Sequence, residues 1–128
     1  MPRVYHGTSV SSKASILARG IDMRCAQGGY FGRAFYVTED RQLALRTYAE
    51  FEHTEEPAVV ELELTLTNGC LDLRRTLDWE RWVQSGLADR CSLPDLPARA
   101  TRAGVDAVWD NSVDGWAIYN PDVLRIIG

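Results

Sequence analysis

Within residues 58–66 the chain alternates from residue 60 onward: Val60, Leu62, Leu64 and Leu66 are apolar, and Glu61, Glu63 and Thr65 stand between them. Two is the period of a strand, whose successive side chains face opposite ways. The pattern predicts an antiparallel strand over 58–66 with one face on a core and one in water. The remaining elements have to be arranged around that strand.

Upstream, Arg3 to Tyr5 reads as a short strand running into His6. Ser9 to Gly20 reads as a helix, with Val10, Ala14 and Leu17 at helical spacing, serines able to cap its start, and Arg19 before Gly20 at its end. Residues 23–32 hold three glycines and no period, which predicts a loop leading to a strand over Ala34–Val37. A second helix is expected from Glu39 or Asp40, capped by Thr38, with Leu43, Thr47 or Tyr48, and Phe51 on one face. Downstream, 77–87 and 96–103 have helical patterns. Strand-like runs over 105–109 and 116–127 are separated by a turn at 110–115, and Asn120-Pro121-Asp122 interrupts the second. Strands and helices mix without βαβ regularity. The expected fold is therefore α+β, a largely antiparallel and split sheet with flanking helices, in one domain spanning 1–128.

Composition limits the partners. The 45% apolar and 25% charged residues are ordinary for a globular domain, and 128 residues suffice to bury roughly two thirds of the unfolded surface. Eighteen acids against fourteen bases give a net charge of -4, which argues against holding nucleic acid by general phosphate attraction. Cys25, Cys70 and Cys91 are an odd set without C-x-x-C spacing, so neither a disulfide framework nor a zinc site is expected. With no apolar run near twenty residues and no signal-peptide pattern at the start, neither a membrane nor a secretory leader is expected. A reduced cytoplasmic setting, or delivery into a target cytosol as an effector domain, fits this usage.

Two segments carry the chemistry. Tyr5-His6-Gly7-Thr8 supplies an imidazole, a backbone open to close approach because Gly7 has no Cβ, and a hydroxyl. It is a cradle for a polar, ring-bearing ligand. About thirty residues later, Gly32-Arg33-Ala34-Phe35-Tyr36-Val37-Thr38 ends a strand on a tyrosine. Periodicity alone makes Tyr36 and Tyr48 core aromatics, and a lone His6 a structural residue.

In order and spacing the two segments resemble the diphtheria-toxin-type ADP-ribosyltransferases, the superfamily that includes the poly(ADP-ribose) polymerases and many toxin domains. Ser9 to Gly20 is similar to the family's first helix, Ala44 to Ala49 to the helix with its second tyrosine, and Trp116-Ala117-Ile118-Tyr119-Asn120-Pro121-Asp122-Val123-Leu124 to its closing strand. The resemblance implies that NAD is the co-substrate and that no metal is needed. It implies that His6 bonds the adenosine ribose, that the Gly7 backbone grips the nicotinamide carboxamide beside Thr8, and that Tyr36 and Tyr48 form a slot stacking nicotinamide.

Cleaving the bond from nicotinamide to C1′ of its ribose builds oxocarbenium-like charge on the sugar, which a carboxylate on the ribose hydroxyls stabilises most in the transition state. Glutamate-bearing members place that acid five residues before the position of Asn120, where this chain has Gly115. Asp114 is the first candidate for the role, Asp110 the second, and a degenerate or relocated site the third. The implied activity is mono-ADP-ribosyl transfer from NAD to a macromolecular acceptor, protein or nucleic acid, with an antitoxin or immunity protein as partner in a toxin setting. The alternatives are an NAD glycohydrolase of the same fold and a non-catalytic module binding NAD or another nucleotide.

Overall fold

A computed structural model describes residues 2–25, 28–49 and 56–128, without the side chains of 47–49. The expected apolar position Phe51 lies outside the described residues, as do the side chains of Thr47 and Tyr48. The chain is mixed α+β with two open sheets, ordered β1-β3-β7 and β2-β6-β5-β4. Its residues gather into two compact units: Met1–Asp22, Val37–Thr65 and Leu124–Gly128 form the first, Met23–Tyr36 and Leu66–Val123 the second. Among the described residues no helix is long and apolar enough to cross a membrane.

In the first unit the alternating segment forms β3, Pro57–Leu64, the central strand of its sheet. Val60, Leu62 and Leu64 are fully buried, while Glu61 and Glu63 pair with Arg3 and Arg125 on the neighbouring strands. The period of two has placed one face in the core and the other among charges. Strand β1, Arg3–Ser9, runs antiparallel to one edge of β3, with His6 opposite Val60 and Gly7 opposite Val59. Strand β7, Leu124–Ile126, pairs antiparallel on the other edge.

This corrects the expected strand boundary. His6, Gly7 and Thr8 lie inside β1 rather than past its end, because β3 is long enough to pair with all seven of its residues. Helix α1, Val10–Arg19, follows directly. Asp40, not Thr38, caps the next helix, its Oδ1 accepting the N–H groups of Gln42 and Leu43. That helix, α2 (Arg41–Leu43), continues as π-helical backbone over Ala44–Ala49, and the π-helical segment packs on β1 and β3.

The second unit departs further from expectation. Strand β4, Cys70–Asp72, has no alternation to announce it and pairs parallel with β5, Ala107–Asp110. The crossover between them carries α3, Thr76–Ser85, and α4, Leu96–Arg102, so this sheet is mixed and contains one βαβ connection where none was expected. Strand β6, Gly115–Ile118, pairs antiparallel with β5, and β2, Phe35–Val37, lies beside β6. The run over 116–127 thus divides at Asn120-Pro121 into two strands belonging to different sheets.

The core of this unit includes Leu71, Leu96, Val108 and Ala117 around an aromatic ladder. Phe31 meets Trp82 edge to face at 5.9 Å, and Trp82 stacks on Tyr119 at 6.4 Å, geometries that aromatic quadrupoles favour. The buried Tyr119 hydroxyl donates to the Phe31 carbonyl at 2.8 Å, which fastens the glycine loop to the closing strand. Burial pushes that phenol far above its ordinary pKa. Trp109 and Trp116, on the paired strands β5 and β6, are buried.

Candidate functional site

The two motif segments are joined by main chain. The Tyr5 N–H donates to the Thr38 carbonyl at 2.7 Å and the Thr38 N–H returns the bond to Tyr5 at 2.9 Å, an antiparallel bridge beyond the end of β2. Residues 33 positions apart in sequence thereby become neighbours, and His6 follows Tyr5 directly. Arg41 lies 6.0 Å from the centroid of the Tyr5 ring, close enough for a weak cation–π contact. His6 is partly buried, whereas Gly7 and Thr8 are buried. Tyr48 belongs to the π-helical segment that packs on β1, and its side chain is outside the described residues.

Tyr36 has a structural task in the second unit. Its hydroxyl donates to the Gly32 carbonyl at 2.6 Å and accepts the Phe31 N–H at 3.2 Å. A Cβ on Gly29 would stand 2.6 Å from that oxygen, so the loop backbone lies directly on the phenol. Gly32 has φ +77°, and a Cβ there would collide with the Cys91 carbonyl. Both glycines are therefore required by contact, and one of them by dihedral as well. Tyr36 holds the segment that precedes it in a fixed shape.

The turn between β5 and β6 carries the candidate acids. Asp110, at the end of β5, accepts the Ser112 N–H on Oδ2 at 2.9 Å. Asp114 is exposed and has φ +48°, the one non-glycine positive φ among the described residues. Aspartate is among the few side chains that enter this region with little penalty. Gly115 is buried where β6 begins. Next to it, Trp116 buries its indole Nε1 with no hydrogen-bond partner among the described residues, where an unsatisfied buried donor costs about 1–3 kcal/mol.

The closing motif also has a structural anchor. Asn120 Nδ2 donates to Asp106 Oδ1 at 3.0 Å, and Thr67 donates to the other Asp106 oxygen at 2.6 Å. Asn120 Oδ1 accepts the Asp122 N–H, so this side chain sets the bend that sends the chain from one sheet to the other. Among the described residues no three His, Cys, Asp or Glu side chains gather closely enough to hold a metal ion.

One cleft of the second unit was not foreseen from the sequence. It has a volume of about 490 Å³ and is lined by residues that include Tyr30, Trp79, Trp82 and Asp110. A signal was present: Tyr30 and Phe31 are bulky rings set among Gly28, Gly29 and Gly32, where a plain flexible loop would have small polar residues. Compared with known proteins, the chain matches no family model, and no curated protein or solved structure is significantly similar to it.

Proposed function

We propose that this chain is an NAD-dependent mono-ADP-ribosyltransferase. The observation that carries the reading is the Tyr5–Thr38 bridge, which pairs the strand bearing His6-Gly7-Thr8 with the residue ending the Gly-Arg-Ala-Phe-Tyr-Val-Thr segment. In the superfamily that the sequence resembles, these two segments supply the NAD site. The mixed α+β fold with two sheets agrees with it in class.

In the proposed reaction the bond from the nicotinamide nitrogen to C1′ of its ribose breaks, and the electron pair leaves with nicotinamide. A nucleophile of a macromolecular acceptor attacks C1′ and gives up its proton, leaving ADP-ribose attached to the acceptor. His6 and the Gly7 backbone hold NAD, Thr8 adds a hydroxyl, and Tyr36 and Tyr48 supply rings for the nicotinamide. Asp114 stabilises the positive charge on the ribose. It is the better placed acid by exposure, since Asp110 already spends an oxygen on the Ser112 N–H.

Nicotinamide release from NAD by the purified protein, with transfer of labelled ADP-ribose to cell-extract macromolecules, is the expected outcome. Asp114→Asn should cut turnover by about 10² or more while NAD still binds, as removal of one transition-state partner does. Asparagine tolerates positive φ as aspartate does, so the substitution keeps the turn. Full activity in Asp114→Asn with loss in Asp110→Asn would move the acid upstream. Buried Gly115, standing where other members carry glutamate, favours a second reading as an NAD-binding module. NAD binding by calorimetry without nicotinamide release would select that reading, and release without label transfer would select a glycohydrolase.

A further inference from the structure

We propose that the cleft of the second unit is a binding site for a guanidinium group, specifically the side chain of an arginine in a partner polypeptide. The proposal does not depend on the NAD reaction, and of its residues Asp110 alone also stands as the second candidate for the acid of that reaction.

Its walls are aromatic. Tyr30 and Trp79 stand on the cleft with 70% and 50% of their surface exposed, while Phe31 and the buried Trp82 line it further. Large rings are normally covered by a soluble protein, so two exposed at one opening mark a contact surface. The cleft's charge is of a single sign. Among the described residues of the lining, Asp110 is the only ionic side chain, and no lysine, arginine or histidine joins it. Cys91, also in the lining, is kept as a neutral thiol because burial and the negative Asp89 both push its pKa up. Aromatic rings and one carboxylate at the same opening are the groups that attract an organic cation, and the net charge of -4 favours the approach of a basic partner.

Guanidinium fits better than ammonium. It is flat, weakly hydrated, stacks on rings and meets a carboxylate through two parallel hydrogen bonds. Because Asp110 is oriented by the Ser112 N–H, its carboxylate is held in place, and it has lone pairs beyond the one that bond uses. The same unit already holds a guanidinium in this manner. Arg74 lies 3.8 Å from the centroid of the Trp109 ring, while its Nε and one terminal nitrogen donate to the two Asp72 oxygens at 2.9 and 2.7 Å. The Arg74 hydrogen bonds draw the Asp72 carboxyl below its usual range, so the pair favours the charged form. In the cleft the ring and the carboxylate are present, and the guanidinium would come from outside.

The test uses the full chain and a blocked arginine, N-acetyl-arginine methylamide, followed by tryptophan fluorescence and by the indole N–H signal of Trp79. The matched probes are blocked citrulline, which has the same shape without charge, and blocked lysine. Arginine should bind at least about tenfold more tightly than citrulline, and more tightly than lysine, because only it offers charge and a planar fork together. Asp110→Asn should weaken arginine binding about tenfold or more, and Trp79→Ala severalfold, with Trp79→Phe retaining most of it. Trp79 is half exposed, so thermal melts of its variants should stay near the parent. Equal binding of arginine and citrulline, undiminished binding by Asp110→Asn, or no saturable binding of arginine by the parent chain would overturn the proposal. Preference for lysine, or binding that leaves the Trp79 signal unmoved, would do so as well.

Discussion

The two ten-residue helices, α1 in the first unit and α3 in the second, are held by opposite means. Helix α1 buries none of its residues, and its Val10 and Leu17 are each 48% exposed. It is secured at its ends: Ser9 Oγ accepts the Ser12 N–H at 3.2 Å, Gly20 N–H donates to the Ile16 carbonyl at 2.8 Å, and Lys13 Nζ donates to the Val59 carbonyl at 2.9 Å. Helix α3 has no side-chain cap at Arg75, yet it drives Trp82, 2% exposed, between Phe31 and Tyr119. One helix depends on satisfied polar ends and the other on a buried ring. Apolar spacing therefore does not decide whether a helix has its apolar face covered, since both have apolar residues at helical intervals.

That contrast can be broken at three places, in falling order of effect. Trp82→Ala should lower the unfolding free energy by about 3–5 kcal/mol, the usual result of emptying a large buried aromatic site, and chemical denaturation would read it. A loss below about 1 kcal/mol would mean that α3 is not held by its ring. Ser9→Ala removes the cap of α1 and should cost about 1 kcal/mol. If stability were unchanged, the lysine anchor and the C-terminal bond would be sufficient without it. Leu17→Gln keeps helix propensity and should shift stability by no more than about 0.5 kcal/mol, as surface changes do. A larger loss in the same melt would show that the apolar stripe of α1 is covered in solution.

The exposed side of α1 is also where the sequence was least reliable. Val10, Ala14 and Leu17 stand at helical spacing, but they are all exposed, and Lys13 ties the helix to the Val59 carbonyl instead. The short strand β4 has three residues and no period, so its parallel pairing with β5 could not be read from the chain. The closing run looked like one interrupted strand, and the interruption was visible as Asn120-Pro121. That the pieces part to different sheets depends on the Asn120 contact with Asp106, residues fourteen positions apart. For the candidate site, the motif residues were legible by type and order. Tyr36's hold on the glycine loop, the left-handed backbone of Asp114, the orphaned Trp116 donor and the cleft at Trp79 were not.

By itself the sequence determined what has a short period or a local cause. The alternation of β3, the Asn120-Pro121 break and the positions of the His-Gly-Thr and Gly-Arg-Ala-Phe-Tyr segments follow from residues near one another in the chain. Tertiary structure decided what depends on distant partners: that Tyr5 and Thr38 exchange hydrogen bonds, that Trp82 is buried while Trp79 in the same helix is exposed, and that Asp110 stands at an aromatic cleft. A side chain's spacing within its own helix or strand fixes the face it shares with its neighbours. What that face meets is set by segments brought there by the rest of the fold, through burial and hydrogen bonding that no local pattern encodes.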